Sequence, residues 1–177
     1  MTRTSSALAP ASSAALPSAY DCVVTAGTGP PAVATKRDLL GLSRAIEGRA
    51  LAGGASTVLV TFQDKRHVTA ATRASYARLA RSGARVVIFA RGLVSDYAPD
   101  SDGLLHVALA WGDPLALEWD IVVLGPSPLA LVARDLQPEI AVSGADMSRA
   151  FSWVRTTDRR QVQAAADALL HRVPSTA

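Results

Sequence analysis

Three short runs in this chain are apolar almost without interruption: Thr57–Phe62 (TVLVTF), 85–90 (RVVIFA) and 120–124 (DIVVL). Each is too short for a helix, is rich in β-branched residues and lacks the alternation of a strand with one wet face. Such runs read as strands covered on both sides, which requires helical layers above and below the sheet. The intervening pattern supplies them. Behind Thr35 and Asp38, a capping box with Asp in place of the usual Glu, Leu39, Leu42 and Ile46 recur at spacings of three and four, and Gly53-Gly54 closes the unit. Thr69 opens a second helix that runs to about Ser82, with Tyr76, Leu79 and Ala80 turned inward and Gly83 as the stop. After an Asp- and Gly-rich loop over 92–103, the alternating segment 104–108 (LLHVA) reads as a third, edge strand.

Further along, Ser127 and Pro128 look like the N-cap and first position of a short helix over 128–136. The segment 151–155 (FSWVR) is the last strand. A helix from Asp158 to about Arg172 then places Val162, Ala166, Leu169 and Val173 on one face. This order predicts an α/β class: a mainly parallel sheet of four to five strands, flanked by about four helices, in a single domain. Residues 1–34, rich in Ala, Ser and Pro, read as a disordered tail and linker. Within them 20–25 (YDCVVT) reads as a short strand. The folded domain is expected over 35–177.

Composition narrows the function classes. Hydrophobic residues make up 49% and charged residues 19%, which excludes a wholly disordered chain. The single cysteine, Cys22, excludes an internal disulfide and a multi-cysteine zinc site. No apolar stretch approaches the roughly 18 residues of a membrane span, and no secretory signal is legible, so the expected location is the cytoplasm. The net charge of +3 conceals two blocks. Residues 36–91 hold eleven Lys and Arg against three acids, whereas 92–147 hold one Arg against nine acids. Arg73, Arg78, Arg81 and Arg85 cluster as a nucleic-acid-binding helix would, but only Tyr76 accompanies them for stacking, so a solvated helix face is the preferred reading.

Few motifs carry chemistry. Gly27-Thr28-Gly29 lacks the third glycine of a dinucleotide loop and the lysine of a phosphate loop. Gly125-Pro126-Ser127-Pro128-Leu129 resembles a nucleophile elbow only as far as its serine, and Leu129 stands where that turn needs Gly. His67, His106 and His171 are scattered, with His106 expected to alternate out of its strand, so neither a metal nor a cofactor is expected. The best location follows from the expected fold, because open α/β sheets gather ligands beyond the carboxyl ends of their strands. Those ends offer Gln63, Arg66, Arg91, Gly125, Ser127 and Thr157 as candidate ligand contacts, with Arg66 and Arg91 favouring a small anion. The competing reading makes them ordinary loop and cap residues, Asp158 above all.

With these elements placed, several segments resemble a known family. They are 35–47 (TKRDLLGLSRAIE), Phe62-Gln63 with Arg66, and above all 113–135, with Glu118-Trp119, Leu124-Gly125-Pro126 and 131–135. Phe151 to Val154, then Thr157-Asp158-Arg159 and the last helix, complete the set. Together they are similar to the DICT sensory domain, named for diguanylate cyclases and two-component systems, over about residues 35–173. The resemblance implies a sensory α/β module, with light response among the suggested roles. Such modules are usually joined to cyclic-dinucleotide enzymes, kinases or DNA-binding modules. No such output module is read here, which points to action in trans on a separate diguanylate cyclase, kinase or transcription regulator. The family carries over no catalytic set.

The leading expectation is therefore a non-catalytic sensory domain that binds a small ligand or a protein partner at the strand-end rim. One alternative is an enzyme working there through Asp64, Ser127 or Asp158. Another is an interaction module, able to form a homo-oligomer by setting its basic block against a neighbour's acidic one.

Overall fold

A computed structural model describes residues 16–27, 29–138 and 146–174. In chain order the elements are α1 (Ala19–Ala26), β1 (Ala32–Thr35), α2 (Lys36–Ala52), β2 (Thr57–Phe62), α3 (Ala70–Arg81), β3 (Arg85–Arg91), β4 (Leu104–Leu109), β5 (Glu118–Leu124), β6 (Leu129–Asp135), β7 (Ala150–Thr156) and α4 (Arg159–Leu170). The helix starts are those their caps dictate. Thr35 and Asp38 close a reciprocal capping box on α2, Thr69 accepts from the Thr72 N–H, and Asp158 accepts from the N–H groups of Arg160 and Gln161.

All seven strands join one sheet in the order β1-β7-β6-β5-β2-β3-β4. Only β2–β3 and β3–β4 pair in parallel; the other four pairings are antiparallel. This corrects the expected mainly parallel sheet of four to five strands, while the α/β class and the four helices stand. The apolar runs reported two-sided cover correctly, but cover says nothing about strand direction. One face carries Val58, Val60, Ile88, Ile121 and Leu131 under α2 and α3. The other carries Leu59, Val87, Phe89, Val122 and Val132 under α1 and α4. The inner strands β2, β3, β5 and β6 bury both of their side-chain rows, as a parallel strand usually does.

Three elements differ from the sequence reading. The segment expected as a helix over 128–136 is β6, joined to β5 by a hairpin in which Ser127 and Pro128 are turn residues. The segment expected as a strand over 20–25 lies in α1, capped by Ser18. The span 16–34, expected as part of a tail and linker, holds both α1 and β1, and Ala19, Tyr20 and Val23 are buried in the core. Gly27 and Gly29 flank the exit of α1, while Thr28 lies outside the described residues.

Edge strand β4 is sealed by its own preceding loop. The Asp96 N–H donates to the His106 carbonyl, the Asp96 carboxylate accepts from the His106 N–H, and Ser95 Oγ accepts from the Ala108 N–H. Asp100 closes the start of the strand through the Leu104 N–H and carbonyl. His106 was expected to alternate outward; it is buried instead. Its Nδ1 lies 2.8 Å from Asp96, and its Nε2 lies 3.3 Å from Arg73.

Candidate ligand-binding cleft

Strand direction decides where the expected site residues fall. β5 runs against β2, and β7 runs the same way as β5, so the carboxyl ends of β5 and β7 lie at the opposite end of the sheet from those of β2 and β3. Gln63, Arg66 and Arg91 gather at one end. Gly125, Ser127 and Thr157 gather at the other, where Gly125, Ser127, Thr157 and Arg159 line a shallow cleft of about 490 Å³. The six residues form two groups of three rather than one rim. Asp64 is likewise separated from Ser127 and Asp158, and both acids are spent as caps.

At the first end, Gln63 is the centre of a polar network. Its amide Nε2 donates to Asp135 at 2.9 Å, its Oε1 accepts from Arg149 at 3.2 Å, and its backbone carbonyl accepts from Arg91 Nε at 2.8 Å. Asp135 and Arg149 form a buried ion pair. Burial, and then the neighbouring Arg66, lower the Arg149 pKa below its ordinary value. Arg91 stacks 4.8 Å over the exposed Trp111 ring. Arg91 therefore supports the Gln63 backbone, and Arg66 is left exposed. Sequence reasoning found Gln63 as a strand-end residue. It missed Asp135 and Arg149, because neither belongs to the same run of sequence.

Beside this network a cleft of about 640 Å³ opens between α2 and α3. Its floor is Phe62 and Trp119 from the sheet, with Leu40, Leu51 and Leu79 on its flanks, and Gln63 lies at its edge. Small residues on α2 and α3, Ser43 and Gly48 with Ala71 and Ser75, leave the space between the helices unfilled above the sheet. Among the described residues Glu47 is the one acid lining the cleft, and its oxygens are already engaged. One accepts from Ser75 Oγ at 2.7 Å and the other from the Tyr76 hydroxyl at 3.0 Å. Burial, and then the adjacent Glu47 carboxylate, hold the Tyr76 phenol well above its ordinary pKa, so Tyr76 stays a donor. Ser43 Oγ is buried in the wall with no hydrogen-bond partner among the described residues. Lys36, Arg44, His67 and Arg78 complete the lining.

On the far face of the sheet two carboxylates are buried side by side. Glu118 accepts from Ser18 Oγ at 2.5 Å, the Tyr20 N–H at 3.1 Å and Arg134 at 3.1 Å. Asp120 accepts from Thr61 Oγ1 at 3.0 Å and the Ala133 N–H at 3.3 Å, with no cation beside it. Desolvation raises both pKa values, and Asp120, which also faces the Glu118 charge, is pushed well above its ordinary range. We assign the proton to Asp120, since Glu118 has the arginine and the extra donors. The role of Glu118 is to hold the start of α1 against β5. Among the described residues no group of three or more His, Cys, Asp or Glu is placed to hold a metal ion, and no helix is long and apolar enough to cross a membrane.

Comparison with known proteins places this architecture. The fold is similar to part of a polyphosphate kinase from Porphyromonas gingivalis, with a TM-score of 0.52 and 12% sequence identity over 85% of this chain. The match spans only 24% of that kinase, and at this identity it speaks for the fold alone. Among curated proteins, none matches the chain significantly. The model of the DICT family, the sensory domain in diguanylate cyclases and two-component systems, matches residues 17–135. The match starts ahead of α1, so it takes in the helix and strand that sequence reading had set aside as linker, and it ends with β6. The chain belongs to the DICT family of sensory domains.

Proposed function

We propose that this DICT domain senses a small molecule held in the α2–α3 cleft and passes its occupancy to a signalling partner without transforming it. The observation that carries this reading is the cleft itself, about 640 Å³ with an apolar floor and a buried, partnerless Ser43 hydroxyl in its wall. A pocket of this size, apolar with a few convergent polar groups, is what small-molecule sites share. The separation of Asp64 from Ser127 and Asp158 supports a non-catalytic role, because nucleophile and base must stand within hydrogen-bond reach. Of the residues expected from sequence, Gln63 remains a ligand contact at the cleft edge and Arg91 its support. Gly125, Ser127 and Thr157 form the turn side of the fold. Family membership supports a diguanylate cyclase or two-component protein as the class of partner.

Gly48 provides the test. A Cβ built there meets nothing within 4 Å, so Gly48→Leu adds bulk at the cleft wall with no clash at its Cβ. It should raise the melting temperature, since Leu is favoured over Gly in a helix by about 0.8 kcal/mol. In a thermal-shift panel of nucleotides and metabolites, a compound that stabilises the native protein should lose its effect on Gly48→Leu. A stabilising compound whose shift survives that substitution intact binds elsewhere and overturns the reading.

A further inference from the structure

Building on the cleft reading, we infer that the ligand is an organic anion: an apolar ring system or chain carrying a carboxylate, sulfonate or phosphate group. Three observations converge on that class. The floor and flanks, Phe62, Leu40, Leu51 and Leu79, offer hydrocarbon and an aromatic face, which suits an apolar body rather than a sugar. Among the described residues, the charged side chains that line it are cationic apart from Glu47. Lys36, Arg44 and Arg78 line the cleft, and the guanidinium groups of Arg44 and Arg78 make no ion pair among the described residues. Glu47, the one acid among the described lining residues, is turned to Ser75 and Tyr76.

The third observation is the Ser43 hydroxyl, beside Arg44 in the chain and buried without a partner. A buried hydroxyl left unsatisfied costs roughly 1–3 kcal/mol, so a turn of the Ser43 side chain toward an acceptor oxygen in the cleft relieves a standing penalty. Two guanidiniums without an ion pair among the described residues, and one buried donor in the wall, suit an oxyanion above an apolar seat. Arginine suits that role because its planar fork matches carboxylate and phosphate oxygens. A cationic ligand would meet like charge on both helices, and a neutral one would leave the arginines unused.

The test uses two fluorescent probes of one shape: anilinonaphthalene sulfonate and its uncharged counterpart, phenylnaphthylamine. Both are titrated into the full chain and into two variants. The first is Gly48→Leu. The second is Arg44→Ala with Arg78→Ala, which alters only exposed side chains and whose fold is checked by its melting temperature. The expected result is that Gly48→Leu abolishes saturable binding of both probes. The double arginine variant should weaken the sulfonate about tenfold and leave the neutral probe within about twofold. If Gly48→Leu abolishes both but the double variant leaves the sulfonate unchanged, or weakens both probes alike, the cleft stands and the anion inference is overturned. If both probes bind Gly48→Leu as they bind the native chain, or neither binds the native chain, the cleft reading itself falls.

Discussion

Gly125 shows how much one residue can decide. It sits at φ 143° in the β5–β6 hairpin, and a Cβ there would come within 3.1 Å of the Ser56 N and 3.3 Å of the Ala55 Cα. Both faults are backbone faults, which no side-chain rotation relieves. Gly125→Ala should destabilise the fold by about 2 kcal/mol, read as a lower urea midpoint with an unchanged slope. A midpoint equal to that of the native protein would show that the turn yields freely. At this scale the sequence is a good witness wherever the chemistry is local. Thr35 with Asp38, Thr69 and Asp158 cap the helices that their side chains announce, because a cap needs only its own next three residues. Ser127 and Pro128 misled by the same logic. They suit a helix start, but Gly125 had already turned the chain back onto β5.

At the scale of elements, β6 and α1 mark the limit of pattern reading. Leu129, Val132 and Leu136 recur as a helix stripe would, yet Leu129–Asp135 is a strand covered by helices on both faces. When both rows of a strand are buried, period no longer separates strand from helix. α1 was hidden among Ala, Ser and Pro because what holds it lies about a hundred residues away. Glu118 receives Ser18 and the Tyr20 N–H, while Arg134 stacks 4.5 Å over the Tyr20 ring and meets Asp21 at 2.8 Å. Removing the carboxylate takes an acceptor from the Ser18 hydroxyl and the Tyr20 N–H and leaves the half-buried Arg134 guanidinium with Asp21 as its one carboxylate among the described residues. Glu118→Ala should cost about 3 kcal/mol. It should also free α1, and Cys22, the one thiol in the chain, reports that directly. Maleimide labelling of Cys22 is expected to accelerate about tenfold in Glu118→Ala and much less in Glu118→Gln, which keeps an acceptor for Ser18. Equal labelling rates in the native and Ala forms would mean that α1 is held by its apolar contacts alone. The α2–α3 cleft was beyond sequence reading for a similar reason. Ser43, Gly48, Ala71 and Ser75 mark it only once two helices separated in sequence are seen to face each other.

Across the whole molecule, the basic block meets the acidic one through Arg73, which pairs with Asp100 at 2.8 Å and Asp102 at 2.6 Å, while Arg172, outside both blocks, clasps Asp113 through two bonds. The pH response is also a property of the whole. Asp21, lowered chiefly by its bond to Arg134, contributes stability above the ordinary Asp value of 3.8 that is lost as pH falls below it. Asp120 acts with the opposite sign. Its folded pKa is raised, so above 3.8 the unfolded chain gives up a proton that the folded one keeps, and stability declines as pH climbs toward the folded value. Asp120→Asn should therefore be the more stable form at pH 7, with the gap closing toward pH 4 in a series of urea titrations. A gap that stays constant with pH would move the shared proton to Glu118. The sealed strand β4 has a wider consequence. A foreign strand could pair there only by evicting Ser95, Asp96 and Asp100, and the opposite edge, β1, is four residues long and follows Pro30-Pro31. With one margin closed and the other stunted, the sheet resists being lengthened by its neighbours. A domain so bounded can be tethered to or crowded against other modules without its strands joining theirs.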